Sequence, residues 1–132
     1  MLKRLLCLAL CSAGVSTTAL AHHSYAEYFR DQKVAVEGTL EHLMVVNPHA
    51  ILEVRTDNGT LFTVEWSSGV QLQRTGFTAD MLAIGDRLIV TASPNRNPDV
   101  HRVTLVKDIR RPRDGWQWSS SGVTVNGDAP RP

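Results

Sequence analysis

The chain has 132 residues, with 14 Lys and Arg against 13 Asp and Glu, a formal charge of +1 at pH 7. That balance creates no global field for a polyanion, so nucleic acid is excluded as a partner. Both cysteines, Cys7 and Cys11, lie near the start, so the rest of the chain has neither a disulfide nor a thiol nucleophile.

Residues 1–21 carry the three parts of a cleavable export signal. Lys3 and Arg4 give a positive start, Leu5 to Val15 is apolar, and Ala19-Leu20-Ala21 is a small-x-small cleavage pattern. The apolar run is shorter than the about 20 residues that span a bilayer. Leu6 and Leu10 precede the two cysteines where a lipid anchor would need a small residue. Cleavage after Ala21 removes Lys3, Arg4 and both cysteines, and takes the formal charge from +1 to just below zero. No second apolar segment of spanning length follows. The expected product is periplasmic or secreted, with no membrane span.

Residues 22–33 read as an N-terminal arm packed through Tyr25, Tyr28 or Phe29. Val34, Val36, Gly38 and Leu40 then alternate with polar neighbours, the period of a half-buried strand. The apolar phase slips to Leu43 and Val45, which predicts a β-bulge with Gly38 as the bend. Ala50, Leu52 and Val54 form one face of a second strand. Asp57-Asn58-Gly59 makes a tight hairpin into a third strand with Phe62, Val64 and Trp66 on one face. Residues 67–84 read as helical or irregular, split at Gly76, with Thr78 capping a short second helix over Ala79–Ala83. Leu88, Val90 and Ala92 mark strand four; Val103, Leu105 and Ile109 mark strand five. The expectation is a mainly all-β fold: a small five-stranded OB-like barrel over 34–118, with a helical connection between strands three and four. An open antiparallel sandwich of the same strands is the alternative. Residues 119–132 read as a disordered tail.

The chemistry rests on histidines. A free amine and ring nitrogen on His22, with His23 beside it, form a nitrogen-rich set suited to Cu(II) or Ni(II). Pro48 makes a rigid corner of Asn47-Pro48-His49. Period two puts His49 opposite the core face of Ala50 and Leu52, where a ligand can be reached. His101 follows a second Asn-Pro, at Asn97-Pro98, and is a weaker candidate. His42 reads as exposed and outside the site. Trp66 points at the core by alternation, which leaves Glu65 outside as an ordinary carboxylate. Trp116 and Trp118 share a face beside Arg110, Arg111 and Arg113. They either stack a ligand or seal a barrel end. No Gly-x-Ser-x-Gly, His-Glu-x-x-His or phosphate loop is present.

The Ala-His-His-Ser of 21–24, Gly38-Thr-Leu, Asn47-Pro-His, Val64-Glu-Trp, Leu82-x-x-Gly-Asp and Asp114-Gly-Trp-x-Trp together resemble a family of small exported bacterial proteins, domain of unknown function 6152. The resemblance spans the whole chain after the leader. It falls on His22, His23, Ser24, Asn47, Pro48, His49, Glu65, Trp66, Gly85 and Asp86. It implies an exported small β-domain and no particular activity, substrate or cofactor. The expectation is therefore a non-enzymatic binding module. Its metal candidates are His22, His23, His49 and His101, with copper the first choice. Asn47, Glu65, Trp66, Trp116 and Trp118 are its other ligand-binding candidates. The alternatives are a metal-independent periplasmic module binding protein or glycan and, last, a metal-dependent enzyme.

Overall fold

The computed structural model describes residues 25–128. Seven strands form one sheet: β1 (Val34–Met44), β2 (Ile51–Arg55), β3 (Leu61–Glu65), β4 (Arg87–Pro94), β5 (Arg102–Arg111), β6 (Trp116–Ser119) and β7 (Gly122–Val125). Their order is β3-β2-β1-β4-β5-β6-β7, and a parallel pairing of β3 with β5 closes the first five into a barrel. Alternation fills it. Leu40, Leu52, Val54, Val64, Leu88, Val90 and Ile109 have no exposed surface. The five-stranded barrel predicted from the sequence is thus observed. No helix among the described residues is long and apolar enough to cross a membrane.

β1 serves two neighbours, β4 along its first half and β2 along its second. The predicted phase slip is present, but the register shifts between Leu40 and His42, beyond Gly38. Gly38 has a different role. A Cβ there would fall inside contact distance of the Arg55 carbonyl, so glycine lets β1 and β2 cross closely. The Leu82-x-x-Gly-Asp turn docks beside the bulge: Gly85 N–H donates to the Leu40 carbonyl, and Leu40 N–H donates to that of Asp86, both at 2.8 Å.

The connection from β3 to β4 holds one six-residue helix, α1 (Gly69–Arg74). Ser68 caps it in a reciprocal box with Gln71, and Gly76 leaves it at φ +79°. The second helix is a single 3-10 turn, Ala79–Met81, and the Thr78 side chain makes no capping bond to it. Beneath this connection lies an aromatic floor. Trp66 meets Phe77 and Trp118 edge-on, each at 4.7 Å between ring centroids. Trp118 Nε1 donates to Thr75 Oγ1 at 2.8 Å.

Of the tail expected to be disordered over 119–132, residues 119–128 instead hold the end of β6 and all of β7, and 129–132 lie outside the described residues. β7 pairs with β6 through Trp118 and Val123, and Val123 is buried. Ser119 to Gly122 looked like linker composition but forms the turn that returns the chain.

Candidate functional site

His49 lies between two anchors. Asn47 Oδ1 accepts the Val70 amide at 3.3 Å and ties the corner to the start of α1. Ala50 exchanges backbone hydrogen bonds with the chain end of β3: its N–H donates to Ser67, and Trp66 N–H donates to Ala50. With Ala50 fully buried, the pleat turns His49 outward, as its phase predicts. Asn47 therefore positions His49 through α1.

The His49 ring is oriented by the backbone. Nδ1 lies 3.2 Å from the Trp66 carbonyl oxygen. A carbonyl only accepts, so Nδ1 is the donor in this bond. Nε2 lies 3.6 Å from Glu65 Oε1. A backbone carbonyl holding the far nitrogen is the usual support of a metal-bound imidazole.

Glu65 is 8% exposed, which corrects its placement as an ordinary surface carboxylate. Alternation assigned its face correctly, since Val64 and Trp66 point to the core. The outer face, however, is roofed at this point. Tyr25, Leu105 and Val106 join His49, Glu65, Gln71 and Thr104 around a cavity of about 200 Å³.

Two features build that roof. β5 bulges: Thr91 pairs with Asp108 and Ser93 with Thr104, leaving extra residues on β5. Leu105 within the bulge has φ +49°, a left-handed conformation that costs a branched side chain about 1–2 kcal/mol. Leu105 lies in strand five, as expected, and is half-buried in the cavity wall. Lys33 steadies the bulge by donating to Ser93 Oγ at 2.6 Å and the Leu105 carbonyl at 3.3 Å. Bulges and strained residues of this kind concentrate at functional sites.

The arm supplies the other side. Tyr28 is buried and bridges to Asn95, Phe29 N–H donates to Pro94, and Arg96 donates to the Glu27 and Ala26 carbonyls. Arg96 also stacks over the Phe29 ring at 4.8 Å. The arm is therefore clamped to the β4–β5 loop, and Tyr25 reaches the His49 cavity. His22 and His23 lie outside the described residues.

The other candidates go elsewhere. His101 meets Phe62 at 5.3 Å between centroids and lines a different cavity, of about 460 Å³. Its carbonyl accepts from Thr63, whereas His49 neighbours Trp66, about 10 Å further along the strand direction. His101 and His49 are thus not brought together. His42 is exposed, as expected. Trp66, Trp116 and Trp118 are buried, and the Trp66 carbonyl meets His49. Among the described residues, no group of three or more His, Cys, Asp or Glu stands ready to hold a metal ion.

A second buried polar cluster supports the fold. Asp86 accepts the Ala83 amide at 2.9 Å and the Arg111 guanidinium at 2.7 Å, while Arg113 reaches its other oxygen at 3.0 Å. Burial pushes the Asp86 carboxyl up, but the Ala83 amide and the two arginines outweigh it and hold the group below the ordinary value of 3.8. This cluster accounts for Gly85-Asp86 as architecture.

Residues 9–104 match the model described as Family of unknown function (DUF6152). The chain belongs to this family. No curated protein matches the chain. The DUF6152 match takes in Asn47-Pro48-His49, Glu65-Trp66 and Gly85-Asp86, and it ends at Thr104 in the cavity wall.

Proposed function

We propose that this DUF6152 protein is exported, cleaved after Ala21, and acts as a non-enzymatic copper-binding module. His49 Nε2 and Glu65 are the fixed ligands. The His22 amine and ring complete the set, with His23 as a further donor. The carrying observation is the His49–Glu65 pair: Nε2 stands 3.6 Å from a buried carboxylate oxygen, with Nδ1 held by a carbonyl. Two ligand atoms on one ion stand about 3–3.5 Å apart, so little movement is needed. Tyr25 in the same wall adds support. Copper is preferred because it binds such nitrogen and oxygen sets more tightly than its first-row neighbours.

The test is Cu(II) titration of protein with a verified His22 terminus. Tight one-to-one binding is expected. It should weaken in His49→Ala and Glu65→Gln, and when an extra residue precedes His22. Binding no tighter than that of a His22→Ala, His49→Ala double variant sinks the reading.

A metal-independent module is the second reading, and the 460 Å³ apolar cavity around Phe62 and His101 favours it. Capture of a periplasmic protein or glycan that Phe62→Ala abolishes, with metal irrelevant, would support that alternative.

A further inference from the structure

We infer that an extended peptide adds as a strand along the first half of β1, in the cavity beside Phe62; this rests on the metal-independent reading and names its partner. Pairing leaves that half of β1 open on one side. β4 takes one edge from Val34 to Thr39, whereas the register with β2 begins only at Thr39, opposite Arg55. Leu40 directs its N–H to Asp86 and its carbonyl to Gly85, on the β4 side. Backbone direction alternates along a strand, so Val34, Val36 and Gly38 also face β4, and Ala35 and Glu37 face the other way. The N–H and carbonyl groups of Ala35 and Glu37 have no partner among the described residues. Val34, Ala35, Val36 and Glu37 all line the cavity of about 460 Å³, so the open edge borders it. Such an edge is completed by the main chain of another strand.

The cavity sets what the peptide carries. Val34 and Val100 are 38% and 42% exposed, and Phe62 and Pro94 are half-buried. An apolar side chain on the added strand, facing inward beside Val34 and Val36, covers them. The charge of the lining is unmatched in one direction. Glu37 is bonded to Arg87 at 3.1 Å, whereas Arg102 is exposed and forms no ion pair among the described residues. The peptide that fits therefore spans the open edge, Val34 to Gly38, alternates apolar and polar side chains, and carries an acidic one for Arg102. Proline is excluded wherever an N–H must reach Ala35 or Glu37.

The experiment selects phage-displayed random heptapeptides on the protein beginning at His22, with EDTA present so that metal plays no part. Selected peptides should be acidic and free of proline at their centre. N-methylation of every second backbone nitrogen should lower affinity about fivefold or more, the worth of a hydrogen bond. Arg102→Glu, at an exposed position, should lower the same affinity at unchanged stability. Amide exchange followed by NMR reads the edge itself. Ala35 and Glu37 should exchange fast in the free protein and slowly with peptide bound, while Val36 stays slow throughout. Ala35 and Glu37 amides already protected in the free protein overturn the inference, whether the strand that covers them belongs to the same chain or to a second copy. Selection of no binder overturns it as well. Binders that Phe62→Ala abolishes and N-methylation leaves unchanged overturn strand addition and leave the metal-independent reading standing. Binders that neither Phe62→Ala nor Arg102→Glu weakens overturn both.

Discussion

His49 Nε2 faces Glu65 Oε1 across 3.6 Å, while Nδ1 of the same ring is held by the carbonyl of Trp66, the residue that follows Glu65. One short stretch of chain therefore supplies both the carboxylate and the bond that aims the imidazole at it. If a metal ion binds between them, it favours the folded state, the only one that brings His49 and Glu65 together. Free Cu(II) at 100 times the dissociation constant should then stabilise the protein by about 2.7 kcal/mol. For a domain of this size that raises the melting temperature by roughly 10 °C or more. Scanning calorimetry with and without Cu(II) measures it. The rise should vanish in His49→Ala and persist in His101→Ala.

Acid should weaken the fold through Asp86. Its carboxyl is held below 3.8 in the folded chain, and Asp114 is lowered as well, chiefly by its bond to Arg111. A depressed carboxylate contributes stability that is present above its unfolded value and lost as pH falls through its folded one. Urea midpoints should therefore decline below pH 3.8. Asp86→Ala should flatten that decline. At neutral pH it should cost about 3 kcal/mol, because Arg111 loses a buried partner.

Gly38→Ala should destabilise, although the same exchange at an open strand position stabilises by about 0.5–1 kcal/mol. The new methyl group meets the Arg55 backbone, which cannot rotate away as a side chain could. Equilibrium unfolding in urea gives the loss. An unchanged midpoint would contradict the close crossing of β1 and β2.

Trp118 should matter for the floor and not for ligand binding. Trp118→Phe removes the bond to Thr75 and should cost about 1–3 kcal/mol; Trp118→Ala should cost about 3–5 kcal/mol. Cu(II) affinity of the phenylalanine variant should match that of the unaltered protein. A fall in affinity at unchanged stability would make Trp118 part of the site.

Much of the barrel was legible because alternation is strong in β2 and β4, where one face is fully buried. The phase slip at Leu43 carried the bulge as well. Less visible was what covers an outward face. Glu65 alternates like any exposed residue, and its burial depends on an arm and a bulge far away in sequence. α1 was legible as the part of the helical connection before Gly76, and Ser68 and Gln71 hold the spacing of the capping box that starts it. β7 was lost because serine and glycine can signal either a linker or a tight turn. The site was half legible: Asn47-Pro48-His49 pointed to it, while its carboxylate and its separation from His101 needed the third dimension.

Closure of the barrel reaches past the stretch matched by the family, which ends at Thr104. β4 pairs with Asp108, Ile109 and Arg110, and the aromatic floor needs Trp118. A fragment cut at the end of the match would expose the unsatisfied amides and carbonyls of β4 beside bare indole and phenyl surface. Such a rim is a template for self-association. The smallest piece of this chain that keeps β4 paired and the aromatic floor covered therefore extends through β6.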